Sequence, residues 1–216
     1  MFKHETQVIK FLLQWYSVNA RNLPWRKKNT LNLPDPYFVF VSEYMLQQTT
    51  VNTVKNKFNE FILKWPSLNK LAQTSEPNIL KFWSGLGYYS RARNLLKSAK
   101  IIQKNFKNNI PKTYDELIQL PGIGDYTAKA ILGIGFNQSV MPLDANIERI
   151  LVRLHAIDKP INKVKNKLKD LGNKFISDKY SSNLIQSFMD YGSEICLPRN
   201  PKCNICGINK FCQSYK

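Results

Sequence analysis

No cysteine precedes position 196 of this 216-residue chain, so any thiol chemistry is confined to the C-terminus. No apolar run approaches the ~18 residues of a membrane span. No segment alternates as a strand would, and no internal repeat of ~20–50 residues appears, which excludes solenoids and propellers. The N-terminus, Met1-Phe2-Lys3-His4-Glu5, leads into an amphipathic segment without an apolar h-region. A secretory signal is therefore not expected, and the location is expected to be cytoplasmic and nucleoid-associated. Acidic residues are also scarce, 15 against 32 Lys and Arg, for a net charge of +17. That deficit predicts attraction to a polyanion, most simply nucleic acid. A genome-wide bias towards Lys and Asn explains many of the lysines. It explains less well the arginines beside aromatics and glycines, such as Arg91 and Arg93. An anionic membrane is a poorer fit, because no segment is a basic amphipathic anchor.

What is present is helical periodicity. Val8, Phe11, Leu12, Trp15 and Tyr16 fall at i, i+3, i+4 and i+7 spacing. Asp35-Pro36 opens a helix as cap and first turn. Further helices are expected over 51–63, from Ser67, from Ser75, over 90–106, from Thr113, and over 128–136, 145–156, 162–176 and 180–191. Thr113 and Glu116 form a capping box. The fold class is all-α: two helical lobes flanking a DNA-binding cleft, with a helix-hairpin-helix motif and a C-terminal cluster loop. One lobe spans 22–136 and carries the hairpin element at about 113–136. The other combines 1–21 with 137–216. Arg26–Pro34 is expected as an exposed loop.

Three features carry chemistry. The four cysteines, Cys196, Cys203, Cys206 and Cys212, are spaced C-x6-C-x2-C-x5-C. Soft thiolates in a tight set point to a metal, and structural zinc sites usually show two short pairs. One short pair with two wider ligands suits a cuboidal [4Fe-4S] cluster. Two disulfides are the alternative. Second, Leu120-Pro121-Gly122-Ile123-Gly124 lies between helices, where Gly122 and Gly124 permit close backbone approach to a phosphate. Alternatively it is an ordinary tight turn. Third, two carboxylates stand out. Asp144, before the helix at Ala145, is either an N-cap alone or a fixed anion for an oxocarbenium-like transition state. Glu43 is isolated in the apolar stretch Val39–Leu46. Burial there would raise its pKa and make it a proton donor, unless it lies on a polar surface beside Ser42.

Longer ordered segments complete the picture: Leu23-Pro24-Trp25-Arg26, Val41-Ser42-Glu43-Tyr44-Met45-Leu46-Gln47-Gln48-Thr49, and Gly85-Leu86-Gly87-Tyr88-Tyr89-Ser90-Arg91-Ala92-Arg93-Asn94. With the hairpin and the cysteines, the chain resembles the helix-hairpin-helix DNA glycosylases that carry a terminal [4Fe-4S] cluster, nearest their adenine-specific branch. The resemblance implies base-excision repair on double-stranded DNA containing A:8-oxoguanine or A:G mispairs, by a monomer. It implies that Glu43 protonates N7 of an extruded adenine and activates water, and that Asp144 stabilises the sugar C1′. Tyr126 and Asn146 would line that site. Gln48 and Tyr88 would enter the base stack where the nucleotide flips out. Trp25, Arg26 and Leu46 would form the base pocket, although Trp25 is equally suited to core packing. Arg91, Gly122, Gly124 and Arg199 would contact DNA.

The endonuclease III-like branch carries a Schiff-base lysine where this chain has Tyr126, so a monofunctional enzyme is expected. Bacterial adenine glycosylases of this type continue into a Nudix-like reader of 8-oxoguanine, which is expected to be missing here. Two departures from the pattern are Ala145, where glycine is commoner, and a lengthened Lys27–Pro34 loop. Two other readings stay open: a thymine or other mismatch glycosylase on the same scaffold, and a catalytically silent Fe–S lesion sensor.

Overall fold

The computed structural model describes residues 3–177 and 179–215. In chain order the helices are α1 (Lys3–Asn19), α2 (Pro36–Leu46), α3 (Val51–Lys64), α4 (Leu68–Ala72), α5 (Glu76–Trp83), α6 (Ser90–Phe106), α7 (Tyr114–Ile118), α8 (Asp125–Ala130), α9 (Ala145–Leu154), α10 (Ile161–Asn173) and α11 (Ser181–Glu194). Among the described residues, extended pairing is limited to one isolated bridge, Lys28 to Pro34. The fold is all-α. The chain divides into two compact units, 22–136 and 1–21 with 137–216.

Unit 22–136 is organised by α2. Asp35 starts this helix, its carboxylate accepting from the Tyr37 N–H at 2.8 Å, and Pro36 supplies the first turn. From Val39 to Met45 every residue of α2 is buried, so neighbours cover it on all sides. Helices α3 and α6 pack on it, as does the wide turn that follows α8. Ser67 and Thr113 cap α4 and α7 through their hydroxyls, as their positions predict. The Thr113 hydroxyl also meets the Glu116 carboxylate at 2.7 Å. Aromatic edges fill the space between helices, with Phe61 at 4.7 Å from Trp65 and 5.5 Å from Phe82. The expected helix over 128–136 is instead the end of α8 widening into a π-helical turn, Ile131–Gly135. Gly135 there lies close enough to Pro36 that an added Cβ would sit 3.2 Å from the proline Cα.

The second unit packs α11 between α1 and α9, with α10 against α9. Its core includes Leu12, Ile147, Leu151, Leu184, Ile185, Phe188 and Tyr191. The Asp190 carboxylate, fully buried, holds Arg21 Nε at 2.5 Å and the Arg21 N–H at 3.0 Å. No described helix is long and apolar enough to cross a membrane.

One buried phenol ties the hairpin to the rest of unit 22–136. Tyr44 on α2 donates to the Pro121 carbonyl at 2.5 Å and lies 2.9 Å from the Ser98 hydroxyl on α6. Burial pushes this phenol well above its usual range, so it stays a donor at any working pH. Tyr44→Phe deletes that donor while keeping the ring. The expected loss is about 1–3 kcal/mol, the cost of leaving buried partners poorly satisfied. Chemical denaturation would register it as a lower midpoint at unchanged m-value. An unchanged midpoint would show that the hairpin is held by packing alone.

Candidate active site

The hairpin takes the geometry its glycines allow. Gly122 has φ +83°, and an added Cβ would stand 3.0 Å from Asn94 and 3.1 Å from Tyr44. Glycine is required there by conformation and by crowding at once. Gly124 is different: an added Cβ meets nothing within 4 Å. Its backbone faces open space at the start of α8, where N–H groups are available to an anion. The acidic residue next to it, Asp125, accepts from the Tyr114 hydroxyl at 3.0 Å and pairs with Lys129 at 2.9 Å. Its charge is met within the protein rather than turned on a passing phosphate. Tyr126 follows, half-buried on the first turn of α8.

Glu43 lies on α2 and is 7% exposed, with Ser42 beside it at 1%. The surface alternative for Glu43 is thereby removed, since the residue is buried on α2. Leu46 ends the helix half-buried, and Gln48 is exposed on the turn beyond with φ +56°. Gln47 bridges that turn to the hairpin through its side-chain amide, which donates to the Gly122 carbonyl at 3.1 Å. Tyr88 is 61% exposed with φ +47°. Trp25 is 7% exposed and meets Phe58 edge-on at 5.5 Å, so it serves packing more than any open pocket. Arg26 is half-buried beside it on the turn Pro24–Arg26.

Arg91 does not sit where a DNA contact needs it. It is 5% exposed, and its guanidinium is committed to backbone carbonyls. The expectation that Arg91 contacts DNA rested on its charge and its neighbours in sequence, which do not show that its guanidinium turns inward to the end of α2. Arg199 is exposed in the loop after Cys196.

In the other unit, Asp144 caps α9. Its carboxylate accepts from the Ile147 N–H at 2.7 Å and from the Asn146 amide at 2.9 Å. Burial pushes this carboxyl above its usual range. The Ile147 N–H, the Asn146 amide and the Arg149 charge pull the other way. Arg149, which sequence reasoning passed over, links this cap to the cysteine loop. It donates to the Asn146 side-chain oxygen (2.8 Å), the Gly192 carbonyl (2.6 Å) and the Cys196 carbonyl (2.7 Å). Gly192 makes room for that link: a Cβ there would lie 2.6 Å from the Cβ of Asn146. The only hint in the sequence was spacing, since Arg149 follows Asp144 by just over one helical turn.

The four cysteines line one cavity together with Ile150, Leu154, Tyr191 and Ile195. Burial raises the Cys206 and Cys212 thiols, and neighbouring cysteine charges raise them further. Two sulfurs already receive donors: Arg153 to Cys196 at 3.3 Å, and the Tyr191 hydroxyl to Cys206 at 3.2 Å. Among the described residues no three His, Cys, Asp or Glu side chains close around one point as a single ion would require. The four thiols line one shared cavity, and soft thiolates are donors that iron–sulfur clusters and zinc both take.

Residues 41–174 match the family model described as HhH-GPD superfamily base excision DNA repair protein. The chain belongs to that family. An adenine DNA glycosylase from Buchnera aphidicola subsp. Schizaphis graminum is 41% identical over 210 residues, covering 96% of this chain and 59% of that protein. The adenine DNA glycosylase of Homo sapiens is 36% identical over 223 residues, 99% of this chain and 41% of the human protein. The chain thus spans well under two thirds of these relatives. Among solved structures, a thermostable thymine-DNA glycosylase superposes with TM-score 0.88 at 26% identity, over 99% of this chain and 97% of that one. An endonuclease III in complex with DNA shares the fold at TM-score 0.77 and 18% identity. Within this family fold, the matched segment contains both carboxylates and the hairpin, and the cysteines lie beyond it.

The Asp144 environment gives a pH signature. If the ionised carboxylate is the working form, activity falls as pH drops through its folded pKa. Burial places that acid limb above the ordinary Asp range of about 3.9. Arg149→Met withdraws a charge that lowers the pKa, so the limb moves further up. A pH–rate profile of single-turnover activity in both proteins checks this. A limb that stays put, or moves down, would detach Arg149 from Asp144.

Proposed function

We propose that this chain excises adenine from double-stranded DNA in which it is mispaired with 8-oxoguanine or guanine, by hydrolysis of the N-glycosidic bond. The observation that carries the reading is the pair of carboxyls in contrasting settings: Glu43 inside an apolar helix, and Asp144 at the mouth of α9 with three donors around it. Glycoside hydrolysis needs that contrast, one group to give a proton and one to face developing positive charge. Glu43 protonates the departing base and then activates water. Asp144 steadies the sugar cation, and Asn146 fixes the carboxylate's orientation. Adenine as the base is supported by the names of relatives 35–44% identical over nearly all of this chain. The enzyme acts as a monomer in the cytoplasm, with Gly122, Gly124 and Arg199 against phosphates and Gln48 and Tyr88 in the base stack.

The reaction stops at the abasic site. Tyr126 has no amine with which to form a Schiff base. Lys129, one turn further along, is not at that position and is held by Asp125 at 2.9 Å. The similarity to a thymine-DNA glycosylase supports a second reading, excision of thymine from a T:G mispair on the same scaffold.

We also propose that Cys196, Cys203, Cys206 and Cys212 hold a [4Fe-4S] cluster. The cluster fastens the chain after α11 and takes no part in bond breaking. Arg153 and Tyr191 supply hydrogen bonds to two of its sulfur ligands.

Single-turnover excision on duplexes bearing A:8-oxoguanine, A:G, T:G and A:T, with hot alkali to reveal abasic sites, tests the activity. Product is expected on the first two duplexes, with no strand break before alkali. Product on T:G alone would favour the thymine reading, and none on any duplex would leave a DNA-binding module. Glu43→Gln is expected to slow excision by at least about 10²-fold with DNA affinity retained. An active variant would remove Glu43 from the mechanism. The cluster has its own test: the purified protein absorbs broadly in the visible, and Cys212→Ser loses that absorbance. A colourless wild type containing stoichiometric zinc would overturn the assignment.

A further inference from the structure

Arg91 is a buried cation whose guanidinium is held by backbone carbonyls. Its Nη1 donates to the carbonyls of Tyr44 (3.3 Å), Met45 (2.8 Å) and Gln47. Its Nη2 donates to the carbonyls of Leu86 (2.7 Å) and Gly87 (3.0 Å). The guanidinium carbon lies 5.5 Å from the Trp83 ring and 5.6 Å from the Tyr88 ring. Burying a charge this way is expensive unless each partner is well placed. Five carbonyls from two separate segments supply that placement.

The first segment is the end of α2. A helix leaves its last four carbonyls without intrahelical partners, and they form the negative end of its dipole. Here the Glu43 carbonyl takes the Gln47 N–H and the Leu46 carbonyl takes the Thr49 N–H. The two between them, Tyr44 and Met45, take Arg91. The guanidinium thus completes the terminus of the helix that carries Glu43, then reaches one residue further to Gln47. The second segment is the loop 85–89, where Gly85 and Gly87 have φ +90° and +68°. The Trp83 indole N–H joins Arg91 on the same Gly87 carbonyl, at 3.1 Å.

Each segment presents an exposed residue in the left-handed region: Gln48 (φ +56°) beyond the first, and Tyr88 (φ +47°, 61% exposed) in the second. Non-glycine residues hold such angles only when their surroundings over-determine them, and such strain concentrates at working sites. An exposed ring on a stiff turn is suited to entering a base stack. We propose that Arg91 is a positioning residue for DNA distortion: one guanidinium sets the Gln48 turn and the Tyr88 loop as a single rigid element, and touches no DNA itself. Through the Gln47 amide on Gly122, the same element is tied to the hairpin. The phosphate grip of the hairpin and the turns that enter the base stack thereby share one scaffold.

The proposal rests on the base-excision reading for its biological setting, but its test does not need excision. A duplex carrying 2-aminopurine beside the mispair reports unstacking by fluorescence whether or not a base is released. Arg91→Lys keeps the charge but cannot span both segments. It is expected to cut the fluorescence rise by about tenfold at saturating protein, with duplex affinity and its salt slope unchanged. Tyr88→Ala should cause a similar loss. The double variant should be no worse than the poorer single, because both act on one element. Losses that multiply in the double variant would overturn the proposal. So would weaker affinity with a salt slope reduced by about one, the mark of a phosphate contact. If Arg91→Lys fails to fold by circular dichroism, Trp83→Phe replaces it. That change withdraws the second donor from Gly87 and leaves the guanidinium in place. The same non-additive pattern with Tyr88→Ala is then expected at smaller amplitude, and an additive one rejects the idea. No fluorescence rise in the wild type, with excision intact, would also reject it. Absence of excision alone, with the rise intact, would instead fault the enzymatic reading.

Discussion

The Arg149 guanidinium is the contact on which the chemistry of the C-terminal unit depends. It grips the Asn146 oxygen, and Asn146 in turn grips the Asp144 carboxylate. Its other donors hold the carbonyls of Gly192 at the end of α11 and of Cys196 at the start of the cysteine loop. The cap of one helix, the end of another and the first thiol are therefore fixed by one planar, five-donor group. A lysine could not do this, having one point charge in place of a fork. The arrangement also needs Gly192, because no side chain fits between α11 and Asn146. Disorder in the cysteine loop would be felt at Asp144 through three hydrogen bonds.

A scarcity of acid shapes how such groups are used. With 15 acidic residues against 32 basic ones, few arginines can find a carboxylate. Arg91, Arg149 and Arg153 turn to carbonyl oxygens and a sulfur instead. Carbonyls at helix ends and tight turns are the places where backbone acceptors lack partners, so buried cations collect there. The result is a set of arginines that organise loops while the exposed lysines provide the long-range field. Net charge alone suggested attraction to a polyanion without saying which basic residues supply it. Burial divides them into two classes with different work.

That division marks the limit of what the sequence carries. Helix starts were legible because capping chemistry is local: Asp35, Ser67, Thr113 and Asp144 each accept a hydrogen bond where their positions predict. The glycine hairpin was legible for the same reason, lying within a few residues, and the cysteine set because its four thiols fall between 196 and 212. The widening of α8 into a π turn was not, and that turn packs against α2, some ninety residues earlier. Nor was the fate of Arg91, since its acceptors Tyr44, Met45 and Gln47 lie 44 to 47 residues before it. Glu43 shows both sides. Its isolation in an apolar stretch was visible, but only the packing around α2 decides that the carboxyl is buried rather than beside a polar surface.

Asp144 meets two demands that look opposed. As a cap it must remain a good acceptor, and burial favours its neutral form. The donors reconcile them: the Ile147 N–H belongs to a helix N-terminus, where anions are favoured, and Arg149 adds a full positive charge nearby. The anion is thus stabilised by fixed dipoles in place of mobile water. When positive charge develops beside such a group, nothing around it has to reorient, so the attraction is available at once. Water around an exposed aspartate would screen the same charge and would have to reorganise first. Holding the carboxylate with α9 rather than with solvent therefore serves the helix cap and suits the proposed role at the sugar.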